Sequence, residues 1–142
     1  MGSSHFATQP DRIERQNVTV MERSTVDDLA HIQEIWPPFE HLVGLRGRKM
    51  YGCADLGLNT YTVCTPIRQG DNPEALRLQT GTLSGGAYLR GRLVGEPSVI
   101  YALIGPGMDE LRTMVQFDTA RPLVEFYRRH DQVELWVPIP SL

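Results

Sequence analysis

"RPLVEFYRRHDQVELWVPI", Arg121 to Ile139, holds two apolar runs around a polar break, with an acid inside the first run. Strand alternation puts Leu123, Glu125 and Tyr127 on one face and Val124 and Phe126 on the other. His130-Asp131 marks the turn, so the stretch reads as a β-hairpin. A carboxylate bracketed by apolar neighbours is costly to bury, and burial raises its pKa. Glu125 therefore calls for a partner. That partner is either an arginine of a neighbouring strand, such as Arg90 or Arg92, or a cationic ligand.

Working outward, the same order of elements occurs twice. "TVCTPI" (Thr62 to Ile67) closes an earlier hairpin much as "ELWVPI" (Glu134 to Ile139) closes the later one. A strand over Arg15–Arg23, with Val18 and Val20 on one face, opens the first half. Ser24 or Thr25, followed by Asp27 or Asp28, signals a helix start. Leu29, Ile32, Ile35, Trp36, Phe39, Leu42 and Val43 recur at helical spacing. Pro37-Pro38 should kink or break this helix, and Gly44 is placed to cap it. A hairpin over Lys49–Ile67 turns at "DLGLN". "RQGDNPEA" (Arg68 to Ala75) is a loop between the halves. The second half repeats the order, with a strand over Ala87–Val94 after Gly85-Gly86. Its helix runs through Ile100, Leu103, Ile104, Met108 and Leu111 and should kink at Gly105-Pro106-Gly107.

The expected fold class is α+β: duplicated βαββ units, halves about 15–67 and 76–140, each with its own antiparallel sheet. The two sheets pack into one domain over residues 15–142 with a ligand cleft between them. Residues 1–14, beginning "MGSSHFATQP", are set aside as a disordered or frayed terminus.

Net charge is −3, which gives no electrostatic reason for nucleic-acid or anionic-membrane binding. No apolar run approaches a membrane span. With 2 cysteines, a disulfide scaffold is excluded. Cys53 and Cys64 read as reduced thiols and the cytoplasm as the expected location. His5, His31, His41 and His130 are scattered without metal-ligand spacing, so no metal or cofactor is expected. "GLRGRK" (Gly44 to Lys49) reads as a solvated loop. The glycine-rich pieces lack phosphate-loop context, and no serine-hydrolase elbow is present.

Glu125 is the central site candidate. Tyr127, on its face, is the phenol partner. Trp136 falls with Glu134 on one face of the last strand, and alternation leaves open whether that face walls the cleft or covers the outside. Trp36, Phe39 and Tyr101 stand on helices. Tyr51, Tyr61 and Tyr88 stand on strands as further pocket candidates. Aromatic rings around a carboxylate suit a cation by charge and by cation–π attraction. In an enzyme, Glu125 with a raised pKa would act as general base or acid, with Tyr127 beside it.

Four pieces together resemble a known family: "RPLVEFY", the closing "VELWVPI", the strand "GGAYLRGRLVG", and the helix "DDLAHIQEIWPPFEHLVG" before "MYG". On them the chain, over roughly residues 15 to 140, resembles the gyrase-inhibitor-like (GyrI-like) small-molecule-binding domains. These also form the effector-binding parts of bacterial multidrug-responsive regulators. The resemblance implies a duplicated βαββ fold and a cleft with a buried glutamate at its floor, walled by aromatics for cationic or planar hydrophobic compounds. Some such relatives inhibit DNA gyrase. Others hydrolyse the cyclopropane of DNA-alkylating natural products through the same glutamate region. Too little chain precedes Arg15 for a helix-turn-helix, so a stand-alone binding protein, monomer or homodimer, is expected. Its partner would be a small hydrophobic or cationic ligand. Cyclopropane hydrolysis is the alternative and gyrase inhibition a further one.

Overall fold

The computed structural model describes residues 4–141. Eight strands and two helices follow in chain order. They are β1 (Asp11–Arg15), β2 (Val18–Val26), α1 (Leu29–Val43), β3 (Met50–Asp55), β4 (Thr60–Pro66), β5 (Gln79–Leu83), β6 (Gly86–Val94), α2 (Pro97–Met114), β7 (Leu123–Arg129) and β8 (Gln132–Pro138). The fold class is α+β, as expected, but the sheet is single. Its order is β1-β6-β8-β7-β3-β4-β2-β5, antiparallel throughout. The expected pair of separate sheets is corrected by the pairing of β3 with β7, Met50 opposite Tyr127 through Ala54 opposite Leu123. Each hairpin leaves one strand with unpaired backbone groups, and joining the two edges satisfies both.

Both helices are anchored at the flanks of the sheet. α1 packs on β2 and β4, and α2 packs on β6 and β8, while neither backbone lies over β3 and β7. On the helix-bearing side, Met21, Ile35, Phe39 and Val63 form a core under α1, and Leu93, Ile100, Leu111 and Leu135 form one under α2. The other side of the sheet buries Tyr51, Tyr88, Val124 and Trp136. The guanidinium of Arg15 lies over Trp136 at 5.1 Å, and that of Arg121 over Tyr88 at 4.8 Å. Arg121 also donates to the carbonyls of Gly85, Ala87 and Ile139, so the first residue of "RPLVEFY" ties the hairpin to β6.

Two local expectations are corrected. The first helix starts later than Ser24 or Thr25, because β2 continues to Val26 opposite Thr60. Asp28 is the cap, accepting the His31 N–H at 2.8 Å. Pro37 and Pro38 do not end the helix: α1 runs through both to Val43, on an exposed side of the helix where Gln33 and Glu34, whose carbonyls lose a partner, are exposed too. Gly44 caps it as expected, with φ 74° and its N–H on Glu40 O at 2.9 Å.

The terminus set aside as disordered is part of the fold from Ser4 onward, while Met1 to Ser3 lie outside the described residues. Phe6 is buried, its ring filling the space at Gly91 where a β-carbon would otherwise sit and lying against Gly107. The Ala7 N–H donates to Arg92 O, and β1 pairs with β6 from Asp11–Arg90 to Arg15–Gly86. One aromatic ring offered a slot in the core outweighs the polar composition around it.

Candidate functional site

The gap between α1 and α2, above β3 and β7, is a cavity of about 860 Å³. Glu125 stands in it on β7. The Tyr61 hydroxyl, from β4, and the Tyr127 hydroxyl, two residues along β7, both donate to Glu125 Oε1 at 2.7 Å. Among the described residues nothing donates to Oε2. The Trp36 indole N–H donates to the Tyr61 oxygen at 3.2 Å, making a chain from α1 through β4 to the carboxylate. Trp36 meets Tyr127 edge-on at 5.1 Å, and Tyr101 of α2 meets Tyr127 at 6.4 Å, so both helices supply aromatic wall. Leu29, Ile32, Leu45, Met50 and Ile104 add to the apolar lining.

Gly52 on β3, directly opposite Glu125, makes the arrangement possible. A β-carbon there would overlap the Tyr61 hydroxyl and come within 2.9 Å of Glu125 Oε1. Tyr61 reaches across β3 because the intervening residue has no side chain.

Burial raises the pKa of Glu125, hydrogen bonds from Tyr127 and Tyr61 lower it, the charge of Asp27 raises it further, and the net direction is upward. Burial, and then the charge of Glu125, push both Tyr61 and Tyr127 far up, so the phenols stay protonated as donors. Asp27 and Glu40, which also line the cavity, are raised chiefly by burial. Arg48, at the α1 end of the lining, is held by Asp71 through two hydrogen bonds of 2.7 and 2.6 Å.

The sequence candidates divide between the two sides of the sheet. Glu125, Tyr127, Trp36, Tyr61 and Tyr101 meet at the cavity. Phe39 does not reach it, being fully buried under α1. Tyr51, Tyr88 and Trp136 pack on the opposite face, where the Trp136 N–H donates to Glu134. Arg90 and Arg92 are on that face too. Arg90 pairs with Asp11 and approaches Glu134 at 3.8 Å, so the arginine partner considered for Glu125 is replaced by two phenols. Asp27, Glu40 and Gly52 are the lining or supporting residues that sequence reasoning missed. The only signal was the placement of Gly52 in "MYG", mid-strand, where glycine marks a close approach.

Among the described residues no three His, Cys, Asp or Glu side chains are grouped to hold a metal. No helix there is long and apolar enough to cross a membrane.

No family model matches the chain, and no curated protein matches it. Solved structures do. An integron cassette protein from the mobile metagenome of Vibrio cholerae superposes with a TM-score of 0.72 at 17% identity, covering 96% of this chain and 98% of that one. SAV2435, solved bound to tetraphenylphosphonium, gives 0.69 at 11% identity with 94% of each chain covered. EcmrR, solved in a DNA complex, gives 0.67 at 12% identity over 94% of this chain and 58% of its own. These likenesses are of fold.

Proposed function

We propose that this protein binds amphipathic organic cations in the cleft between α1 and α2, with Glu125 as the anionic pole. One observation carries the reading: Glu125 Oε1 is fixed by two phenols while Oε2, without a donor among the described residues, is left for a ligand in an aromatic cavity. A buried carboxylate with no cation beside it costs free energy, and a bound cation offsets that cost. Trp36, Tyr101 and Tyr127 add flat apolar surface and cation–π attraction. The fold shared with the tetraphenylphosphonium-bound SAV2435 supports the same chemistry here. So does the arrangement of strands. Outward from the β3–β7 junction the strands run β7-β8-β6 on one side and β3-β4-β2 on the other, as two copies of one βαββ unit would, in line with a GyrI-like domain.

Calorimetric titration with tetraphenylphosphonium and with the neutral triphenylphosphine oxide tests this. Glu125→Gln should weaken the cation by about tenfold or more, the size of one charge-assisted contact, and barely touch the neutral compound. Equal cation affinity in wild type and Glu125→Gln would refute it.

A second reading has its own support. A carboxylate with a raised pKa can take a proton from water, and a phenol released from Glu125 as it becomes protonated can donate to the oxygen that takes up charge as the ring opens. Incubating the protein with a cyclopropane-bearing alkylator and looking by mass spectrometry for the gain of one water separates it from simple binding. Recovery of intact compound removes it.

A further inference from the structure

We infer that the cleft is built for dications: molecules with two positive centres on one apolar skeleton, the first held by Glu125 and the second by Asp27. This rests on the reading of the cleft as a cation site and names the ligand class more narrowly.

Asp27 lies between the end of β2 and the start of α1, its backbone N–H held by Asn59 O at 3.0 Å. It is half-buried and lines the same cavity as Glu125. Its neighbour Asp28 is already committed, accepting the His31 N–H at 2.8 Å and facing the His31 ring at 2.7 Å. Among the described residues the Asp27 carboxylate accepts no hydrogen bond and joins no ion pair. It is also close enough for its charge to raise the pKa of Glu125.

The cations that line the cleft do not answer this pair. Arg48 is bound to Asp71. Arg129 and His130 sit where β7 turns into β8, whereas Asp27 is beside the β3–β4 turn, at the opposite end of the sheet. Two carboxylates that repel in one poorly solvated cleft gain little from a monocation, which neutralises one and leaves the other. A dication neutralises both. Ile32, Trp36 and Tyr61 share the wall with the two acids, so the skeleton joining the charges must be apolar.

The test is calorimetry on the full chain with an alkyltrimethylammonium ion and the α,ω-bis(trimethylammonium) ion of the same chain length, over a series of lengths. Wild type should prefer the dication by about tenfold at its best length. Asp27→Asn should bring that ratio close to one, and Asp27→Lys should invert it. A wild-type ratio of one at every length overturns the inference, as does a ratio unchanged in Asp27→Asn or erased only by Glu40→Gln. If the monocation binds and depends on Glu125 while the ratio is one, only the dication inference falls. If neither ion binds, the cation-site reading falls with it.

Discussion

Tyr61 and Tyr127 donate their hydroxyls to one and the same oxygen, Glu125 Oε1, from strands on either side of β3, each at 2.7 Å. Hydrogen bonds to a charged acceptor contribute about 1.5–3 kcal/mol, and here they favour the ionised carboxylate that burial opposes. Removing either phenol should raise the pKa of Glu125 further. A cation binds the ionised form, so binding strengthens as pH rises through that pKa. In Tyr61→Phe and Tyr127→Phe the midpoint of cation affinity against pH should therefore move upward, with affinity at neutral pH reduced. A midpoint that stays in place would mean the phenols only pack.

The same carboxylate should cost stability in the unliganded protein. The folded-state pKa of Glu125 lies above its ordinary 4.5, so the folded state holds the proton more tightly than the unfolded one. Stability is then highest below the unfolded value and falls as pH rises through the window above it. Glu125→Gln keeps an oxygen for both tyrosines and removes the charge. Its melting temperature relative to wild type should rise as pH increases above the ordinary carboxylate value of 4.5, by roughly 3–6 °C per ~1 kcal/mol regained. A difference that is flat with pH would contradict the assignment.

Gly52→Ala should damage site and fold together. The new β-carbon meets the Tyr61 hydroxyl and Glu125, and overpacking of this kind costs about 1–3 kcal/mol. Urea denaturation should show that loss, and calorimetry a weaker cation. Because the clash is with Tyr61, adding Tyr61→Phe should restore part of the stability, giving a non-additive cycle. Strict additivity would place the damage elsewhere.

Phe6→Ala should destabilise by about 3–5 kcal/mol, as for other buried aromatics, although Phe6 belongs to no helix or strand. The slot beside Gly91 and Gly107 would be left empty. A loss below about 1 kcal/mol in urea would show that the ring is dispensable.

Much of this architecture could be read from the chain because alternation and helical spacing are local. They place both hairpins, both helices, the capping role of Gly44, and Glu125 with Tyr127 on one face. What they could not give is partnership across long separations. Alternation shows that Trp136 and Glu134 share a face, but which face meets the helices depends on where α2 settles. Only the long-range pairing of β3 with β7 merges two expected sheets into one and opens the cavity above the seam. Phe6 was invisible because one aromatic in a polar run has no period. Asp27 read as a helix-start residue, and the neighbour at Asp28 took that task.

The two tryptophans stand on opposite sides of the sheet, and this gives the protein two separate optical reporters. Trp36 is half-buried in the cavity wall and hydrogen-bonded to Tyr61, so its emission responds to whatever enters the cleft. Trp136 is sealed on the far side against Tyr51, Tyr88 and Phe126, and its emission follows the packing of the sheet itself. With Trp136→Phe, occupancy of the cleft is read without interference. With Trp36→Phe, unfolding is followed while the cleft is silent.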